Sequence, residues 1–240
     1  LVTAIFKPSR LDAVIDALSE VGATGLTGGH LLQRLLSDRR YEAIHVLSRR
    51  PLPVREDRLH SHVVDFNGLP PEHTAFRVDD VYCCLGTTIR QAGSRGRFRQ
   101  VDYDYPMMTA RAGRAGGAVT MVAMSALGAD PGSRNFYLRT KGELERDLQH
   151  LAFRRLVLVR PSLLIGRRET KRLLEGAGMW LLPKLAFLMQ GPLKPYRAIE
   201  AAVVARAMHH LAWQAAAESR VVSSAELQLL GHARRGPSDG

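Results

Sequence analysis

The stretch VGATGLTGG, residues 21–29, decides how the rest of the sequence is interpreted. Three of its glycines are spaced G-x-x-G-x-x-G, and a segment with helical spacing, residues 30–36, follows them. Glycines at this spacing let the backbone turn tightly and approach a pyrophosphate, while the following helix points its N–H groups at the phosphates. Gly-rich turns are common, so the motif needs support from the rest of the chain. The phosphate-binding residues that it predicts are Gly22, Thr24, Gly25, Leu26, Thr27 and Gly28.

Apolar strand-like runs alternate with helical segments along the rest of the chain. This alternation is typical of a mostly parallel sheet that is covered on both faces. The sequence therefore predicts an α/β protein with a Rossmann-like, doubly wound sheet, formed by one domain over residues 1–230 with a flexible tail at 231–240. The predicted strands are residues 43–47, 62–66, 81–85, 118–124, 156–160 and 220–223. The main predicted helices are residues 101–115, 136–151 and 199–211.

The first of these strands ends in Ser48, Arg49 and Arg50, about twenty residues after the glycines. In a dinucleotide-binding fold this position meets the adenosine ribose, where a carboxylate binds the free 2′-hydroxyl of NAD and an arginine accommodates the 2′-phosphate of NADP. The absence of Asp and Glu at this strand end favours NADP. Two ordinary surface arginines in an Arg-rich chain are the alternative interpretation.

Later strand ends carry residues that suit the same ligand, because ligands bind at the carboxyl ends of strands in open α/β sheets. Asp65 and Phe66 are placed to frame an adenine ring, and Pro161 and Ser162 to touch the nicotinamide end. The turn after residues 81–85 is rich in small residues, which lets its backbone approach the ribose and diphosphate. The residues of this turn are Leu85, Gly86, Thr87 and Thr88.

Tyr137 and Lys141 form a Tyr-x-x-x-Lys pair within the helical segment 136–151. Residues four apart share a helix face, and an ammonium group beside a phenol favours the phenolate, which is expected to lower the pKa of the tyrosine. Tyr137 is the predicted general acid or base, and Lys141 also reaches the ribose hydroxyls of the cofactor. Ser125 follows a strand and is predicted to hydrogen-bond the substrate oxygen. A solvated helix face and a helix-capping serine are the alternative interpretations.

The composition is that of a globular protein of 240 residues, with 45% apolar and 24% charged residues and a formal net charge of +11. Only five of the 34 basic residues are lysine, a skew that a GC-rich genome produces without selection for a polyanionic partner. A lysine retained against this bias indicates a role that the high pKa of arginine would spoil, which makes Lys141 informative. Aromatic residues make up 6% of the chain, so direct nucleic-acid binding is not predicted.

Cys83 and Cys84 are adjacent in an apolar run, where they neither staple the fold nor have the spacing of a zinc site. They indicate a reducing, cytoplasmic environment, and no metal is predicted. The most apolar stretch, residues 179–193, is interrupted by Pro183, Lys184, Gly191 and Pro192, so no membrane span is predicted. A cover for the substrate pocket, a dimer contact and a core helix are the roles that remain open for this stretch.

These motifs, in this order and spacing, resemble the atypical short-chain dehydrogenase/reductases over residues 21–230. The stretches CCLGTTIRQAG and FYLRTKGELE carry the likeness most specifically, and they resemble the branch of the Tat-interacting-protein oxidoreductases. The resemblance implies a sheet in the order 3-2-1-4-5-6, NADP(H) as the cofactor, and Ser125, Tyr137 and Lys141 as the catalytic set. It also implies that some relatives act chiefly through protein partners.

The N-terminal segment departs from this pattern. Apolar residues recur at helical spacing over residues 11–21, where a Rossmann fold has its first strand, and a strand there would carry Asp16 and Glu20 into the sheet at a high cost. Residues 1–27 resemble the opening strand and helix of the nitrogen-regulatory PII signalling proteins, but no later PII feature follows. We therefore interpret the N-terminus as composite, expect a misplaced first strand, and carry over no PII function.

The leading functional prediction is an NADP(H)-dependent oxidoreductase that transfers hydride to or from a small carbonyl or alcohol substrate. The alternative is an NADPH-binding regulatory or protein-interaction module with little or no turnover. Both need the glycine motif, so that motif does not distinguish them. Protein partners or a second copy of the chain are further expected contacts.

Overall fold

The computed structural model describes residues 2–5, 23–49, 51–52, 54–165, 198–214 and 219–232. Its strands are β1 (Val2–Ile5), β2 (Ile44–Ser48), β3 (Leu59–Val63), β4 (Asp80–Cys83), β5 (Thr120–Met124), β6 (Arg155–Arg160), β7 (Leu164–Ile165), β8 (Ile199–Glu200) and β9 (Ser219–Ser223). Seven of them form one sheet in the order β3-β2-β1-β4-β5-β6-β9, and every neighbouring pair is parallel. This confirms the predicted doubly wound sheet and its 3-2-1-4-5-6 order, to which β9 adds a seventh strand. The pair β7–β8 forms a small separate sheet.

Helices cover both faces of the sheet. They are α1 (Ala23–Ser37), α2 (Ile89–Ala92), α3 (Arg95–Arg99), α4 (Tyr105–Ala115), α5 (Phe136–Gln149), α6 (Ala201–Ala212) and α7 (Ser224–His232). One face packs α1, α6 and α7 against the sheet, and the other packs α4 and α5. All residues of β4 and β5 are buried, which explains why both strands are apolar after their first residues, Asp80 and Thr120.

Strand β1 holds an interior place in the sheet, between β2 and β4. Val2 to Ile5 pair in parallel with β2 on one side and with β4 on the other. A Rossmann fold usually has this strand immediately before its glycine motif, whereas residues 6–22 separate β1 from α1 here. The predicted helical segment 11–21 and Gly22 lie outside the described residues. Strand β1 thus takes the place of the first Rossmann strand in the sheet, between β2 and β4.

Three predicted elements differ from the structure by more than two residues or are divided in it. The third strand is Leu59–Val63 rather than 62–66. Because β3 is an edge strand with exposed polar side chains, it lacks the apolar run by which the other strands were predicted. Helix α1 begins at Ala23 rather than at residue 30, so the later glycines of the motif lie inside its first two turns. The predicted helix 101–115 is split into a π-helical turn, Gln100–Asp104, and α4.

Gly142 lets α5 lie directly on the loop that follows β5. A Cβ at this position would approach the backbone of Asp130 and Pro131 to 2.2 Å, which real contacts do not reach. Because both obstacles are backbone atoms, neither moves cheaply. The close packing at Gly142 therefore fixes the distance between α5 and this loop, and with it the position of the neighbouring Lys141.

We expect Gly142→Ala to destabilise the protein by about 3 kcal/mol, because the added methyl group forces α5 away from the loop. Chemical denaturation of the variant and the wild type measures the difference in the free energy of unfolding. Gly96→Ala in α3 is the matched control, since a Cβ there has no neighbour within 4 Å, and it should change stability by no more than about 1 kcal/mol in the stabilising direction. Equal stability of the two variants would contradict the packing described for Gly142.

Candidate active site

A cavity of about 270 Å³ lies at the carboxyl ends of β2 and β4. Five residues predicted from strand ends line it together, although they come from three separate stretches of the chain. These residues are Arg49, Phe66, Leu85, Gly86 and Thr87. The parallel sheet brings them together because its strands all end at the same edge.

Sequence reasoning missed the other half of this cavity. Seven further residues line it, all but one of them between positions 91 and 105: Cys84, Gln91, Ala92, Arg97, Gln100, Val101 and Tyr105. They belong mainly to α2, α3 and the π-helical turn, which fold over the cavity after β4. The Gly-Ser pair at 93–94 between two short helices was the sequence signal for such a fold-back, and Ser94 does cap α3 by accepting a hydrogen bond from the backbone of Arg97.

The other residues predicted to bind the cofactor are not on the described lining of the cavity. Thr27 and Gly28 are buried in α1, and Ser48 is buried at the end of β2, where its carbonyl accepts a hydrogen bond from the backbone of Val64. Thr24, Gly25 and Leu26 fall in the first turn of α1. Gly22 and Arg50 lie outside the described residues.

Asp65 and Thr88 hold turns at the rim of the cavity. The Asp65 carboxylate accepts hydrogen bonds from the backbone and the side chain of Asn67, both at 3.0 Å. The amide oxygen of Asn67 in turn accepts from Gln100 and from the hydroxyl of Tyr105. Thr88 caps α2 by accepting a hydrogen bond from the backbone of Gln91 at 3.1 Å. Asp65 is thereby connected to two residues that line the cavity.

A buried ion pair lies between this cavity and α5. The ammonium group of Lys141 is 2.7 Å from a carboxylate oxygen of Asp102, and the two side chains are only 4% and 1% exposed. The second carboxylate oxygen accepts a hydrogen bond from the backbone N–H of Thr87 at 2.8 Å. Asp102 therefore joins the turn after β4 to the lysine of the Tyr-x-x-x-Lys pair. No sequence motif pointed to Asp102.

Burial and pairing both act on the protonation of this ion pair. Burial alone would lower the pKa of Lys141, but the nearby Asp102 carboxylate and the Tyr137 phenol raise it above its ordinary value. Burial raises the pKa of Asp102, against the effects of Lys141 and the Thr87 N–H. Lys141 therefore stays a cation at neutral pH, as its pairing requires.

Tyr137 lies in the first turn of α5, and its ring packs against Phe98 at a centroid distance of 5.5 Å. Asn135 caps the helix by accepting a hydrogen bond from the backbone of Tyr137 at 2.9 Å. The expected lowering of the phenol pKa is not what the structure gives. Burial raises the pKa of Tyr137, Asp102 adds to that rise, and Lys141 only partly offsets it. The phenol is accordingly protonated at neutral pH.

Ser125 follows β5 directly and is buried, and among the described residues no group hydrogen-bonds its hydroxyl. Its backbone N–H donates to the carbonyl of Val159, which fixes the residue beside β6. Buried hydroxyl groups are usually hydrogen-bonded, so this one is suited to a substrate or cofactor oxygen.

Pro161 and Ser162 shape the turn after β6. The buried Pro161 accepts a hydrogen bond at its carbonyl from Leu127 at 3.0 Å, and the Ser162 hydroxyl accepts one from Ser224 at 2.9 Å. They tie this turn to the loop after β5 and to α7. Ser125, Tyr137, Lys141, Pro161 and Ser162 do not line the described cavity.

Among the described residues there is no group of three or more His, Cys, Asp or Glu side chains that can hold a metal ion. A search of the same part of the chain finds no helix long and apolar enough to cross a membrane. Cys83 and Cys84 are buried free thiols, and burial raises the pKa of Cys83 to about 11. The apolar stretch 179–193 lies outside the described residues.

Comparison with known proteins gives relatives for nearly the whole chain, although no protein-family model matches it. Protein HTATIP2 of Rattus norvegicus is 33% identical over 222 residues, which cover 90% of this chain and 90% of that protein. Protein FMP52, mitochondrial, of Debaryomyces hansenii is 35% identical over 152 residues, which cover 62% of this chain and 67% of that protein.

Solved structures support the fold. MoeE5 in complex with UDP-glucose and NAD matches with a TM-score of 0.62 at 16% identity, covering 92% of this chain and 74% of that one. A short chain dehydrogenase family protein from Francisella tularensis subsp. tularensis SCHU S4 matches with a TM-score of 0.58 at 10% identity, covering 94% and 98%. These two likenesses concern the fold alone. The identity to HTATIP2 over nearly the full length of both proteins shows that the chain belongs to the HTATIP2 family of atypical short-chain dehydrogenase/reductases.

Proposed function

We propose that the protein is an NADP(H)-dependent oxidoreductase that acts on a small carbonyl or alcohol substrate. The observation that carries the proposal is the buried connection from Thr87 through Asp102 to Lys141. It links the cavity at the strand ends to the helix of Tyr137, so that a nucleotide site and a proton donor share one rigid support. Membership of the short-chain dehydrogenase/reductases supports the same reaction class.

The residues at the cavity fit a dinucleotide cofactor. Thr87 and Gly86 offer backbone and small side chains for close approach, Phe66 and Tyr105 offer aromatic surface with ring centroids 5.3 Å apart, and Arg49 offers a cation beside β2. The N-terminus of α1 supplies N–H groups for the diphosphate. NADPH, when bound, supplies the hydride. We infer NADP rather than NAD from Arg49 and Arg50, which follow β2 in the sequence.

The catalytic roles follow from the protonation states. Tyr137 holds a proton at its hydroxyl at neutral pH, because burial raises its pKa, and it is therefore suited to donate that proton to a carbonyl oxygen. Lys141 stabilises the phenolate that remains after donation, and Asp102 keeps the ammonium group in place. Ser125 orients the same substrate oxygen through its hydroxyl group. Reduction of a carbonyl is thus the direction for which the resting site is prepared.

We expect Tyr137→Phe to lower kcat for NADPH-dependent carbonyl reduction by about 100-fold or more, because the proton donor is lost while the ring packing is kept. Steady-state oxidation of NADPH over a panel of aldehydes and ketones provides the measurement, and the affinity for NADPH should stay within about twofold of the wild type. Tyr103→Phe, the same change on the π-helical turn, serves as the control. Turnover by Tyr137→Phe at the wild-type rate would remove Tyr137 from the mechanism.

The coenzyme preference is tested by titrating the protein with NADPH and NADH. We expect the wild type to bind NADPH more tightly than NADH. The variant Arg49→Ala/Arg50→Ala should lose that preference, because it lacks the cations proposed to bind the 2′-phosphate. Arg111→Ala/Arg114→Ala, which removes two exposed arginines from α4, is the charge-matched control. Equal wild-type affinity for the two coenzymes would contradict the NADP proposal.

A second candidate function is an NADPH-binding regulatory or protein-interaction module. It is favoured by the separation of the site, since none of Ser125, Tyr137 and Lys141 lines the described cavity, and nucleotide binding does not by itself require turnover. Tight NADPH binding by a wild-type protein that reduces none of the panel would support this candidate over the enzyme. Protein partners and self-association belong to the same proposal, and size-exclusion chromatography with and without NADPH tests the latter.

The cellular location that we propose is the cytoplasm. The two buried free thiols support a reducing compartment. Because the fungal relative is named as mitochondrial, immunolocalisation in the source cell is the direct test.

A further inference from the structure

The cavity carries two positive charges that come from different parts of the fold. Arg49 follows β2, and Arg97 belongs to α3, and they are the only charged side chains on the described lining. Both are exposed, and neither guanidinium has a carboxylate partner among the residues that the structure describes. Other arginines nearby are neutralised, as Arg99 is by Glu143. The cavity therefore presents an uncompensated cationic side to its occupant.

Both arginines line the same cavity as Tyr105 and influence its phenol. Burial and the Asp65 carboxylate raise the pKa of Tyr105, and the guanidinium groups of both Arg49 and Arg97 oppose that rise. Both charges therefore lie within electrostatic reach of one phenol on the cavity wall. A single doubly charged group bound beside Tyr105 can interact with both.

The position of Arg97 is fixed by its neighbours in the chain. Its backbone N–H donates to the capping hydroxyl of Ser94, which begins α3. The next residue, Phe98, is fully buried and packs against the ring of Tyr137. Arg99 is held against α5 by its ion pair with Glu143. With these three contacts made, Arg97 is left on the cavity side of a short, anchored helix.

We propose that Arg97 is a second cationic ligand for the 2′-phosphate of the cofactor adenosine, and that it determines the preference for NADP(H) together with Arg49. The proposal rests on the coenzyme assignment made above. A phosphate monoester carries close to two negative charges at neutral pH and can accept hydrogen bonds from two guanidinium groups. The 2′-hydroxyl group of NAD(H) is uncharged. The dinucleotide-binding pattern predicts a cation only after β2. Among the described residues that cation is Arg49, and Arg97 supplies the second.

The affinities of Arg97→Ala for NADPH and NADH, measured by fluorescence titration of the full chain, test the proposal. We expect the affinity for NADPH to fall about tenfold and that for NADH to change less than twofold, because only the former carries the extra phosphate. Arg95→Ala is the matched control on the same helix, since its guanidinium lies over the ring of Phe136, 5.4 Å from the centroid, and it should leave both affinities within about twofold. Thermal unfolding of both variants confirms that α3 is intact.

Three results would overturn the proposal, and they are distinguishable. Equal weakening of NADPH and NADH by Arg97→Ala would assign Arg97 to the adenine ring, which both coenzymes share. A wild type that prefers NADPH, with Arg97→Ala unchanged, would remove Arg97 alone and leave the coenzyme assignment standing. A wild type that binds both coenzymes equally, or neither, would overturn the NADP assignment itself.

Discussion

The buried ion pair between Lys141 and Asp102 is the interaction on which the rest of the site depends. Removing two charges from water costs several kcal/mol for each ion, and only close pairing with further hydrogen bonds offsets that cost. Here the pair is joined by the Thr87 N–H, so three parts of the fold meet at one point: the turn after β4, the π-helical turn and α5. Loss of either charged side chain leaves the other as a buried charge without its partner.

This constraint explains the local departures from regular structure around the site. The π-helical turn Gln100–Asp104 is a place where the regular helix ladder is interrupted, and it carries Asp102. Gly142 permits the backbone contact that places α5 beside it. The same helix carries Tyr137, whose pKa is raised by burial, so that the resting site holds a protonated phenol above a fixed cation. Nucleotide binding and proton donation are thereby supported by one cluster of buried charge.

The fold and half of the cavity were predictable from the sequence, for reasons that particular residues make clear. Parallel strands end at one edge, so finding Arg49, Phe66 and Leu85 after successive strands was enough to expect them together. Asp102 was not predictable, because the identity of an ion-pair partner depends on which helices meet in space. Arg97 was hidden for a related reason, since it is one arginine among 29 and only the fold-back of α3 gives it a special position.

Strand β1 pairs in the place of the first Rossmann strand although it does not directly precede the glycine motif in the sequence. Val2–Ile5 take the interior position between β2 and β4, although the segment 6–22 separates them from α1. The sheet requires at this place a short strand that keeps the hydrogen-bond register with both neighbours. The order of the strands in the sheet is then unchanged.

A double-mutant cycle at Asp102 and Lys141 tests the central claim most directly. The free energy of unfolding is measured for the wild type, Asp102→Asn, Lys141→Met and the double variant. Each single change leaves one buried charge unpaired, so we expect a coupling energy of about 3 kcal/mol or more between the two positions, with the double variant far more stable than the sum of the single losses predicts. Additive losses, with a coupling energy below about 0.5 kcal/mol, would contradict the buried pair and the account built on it.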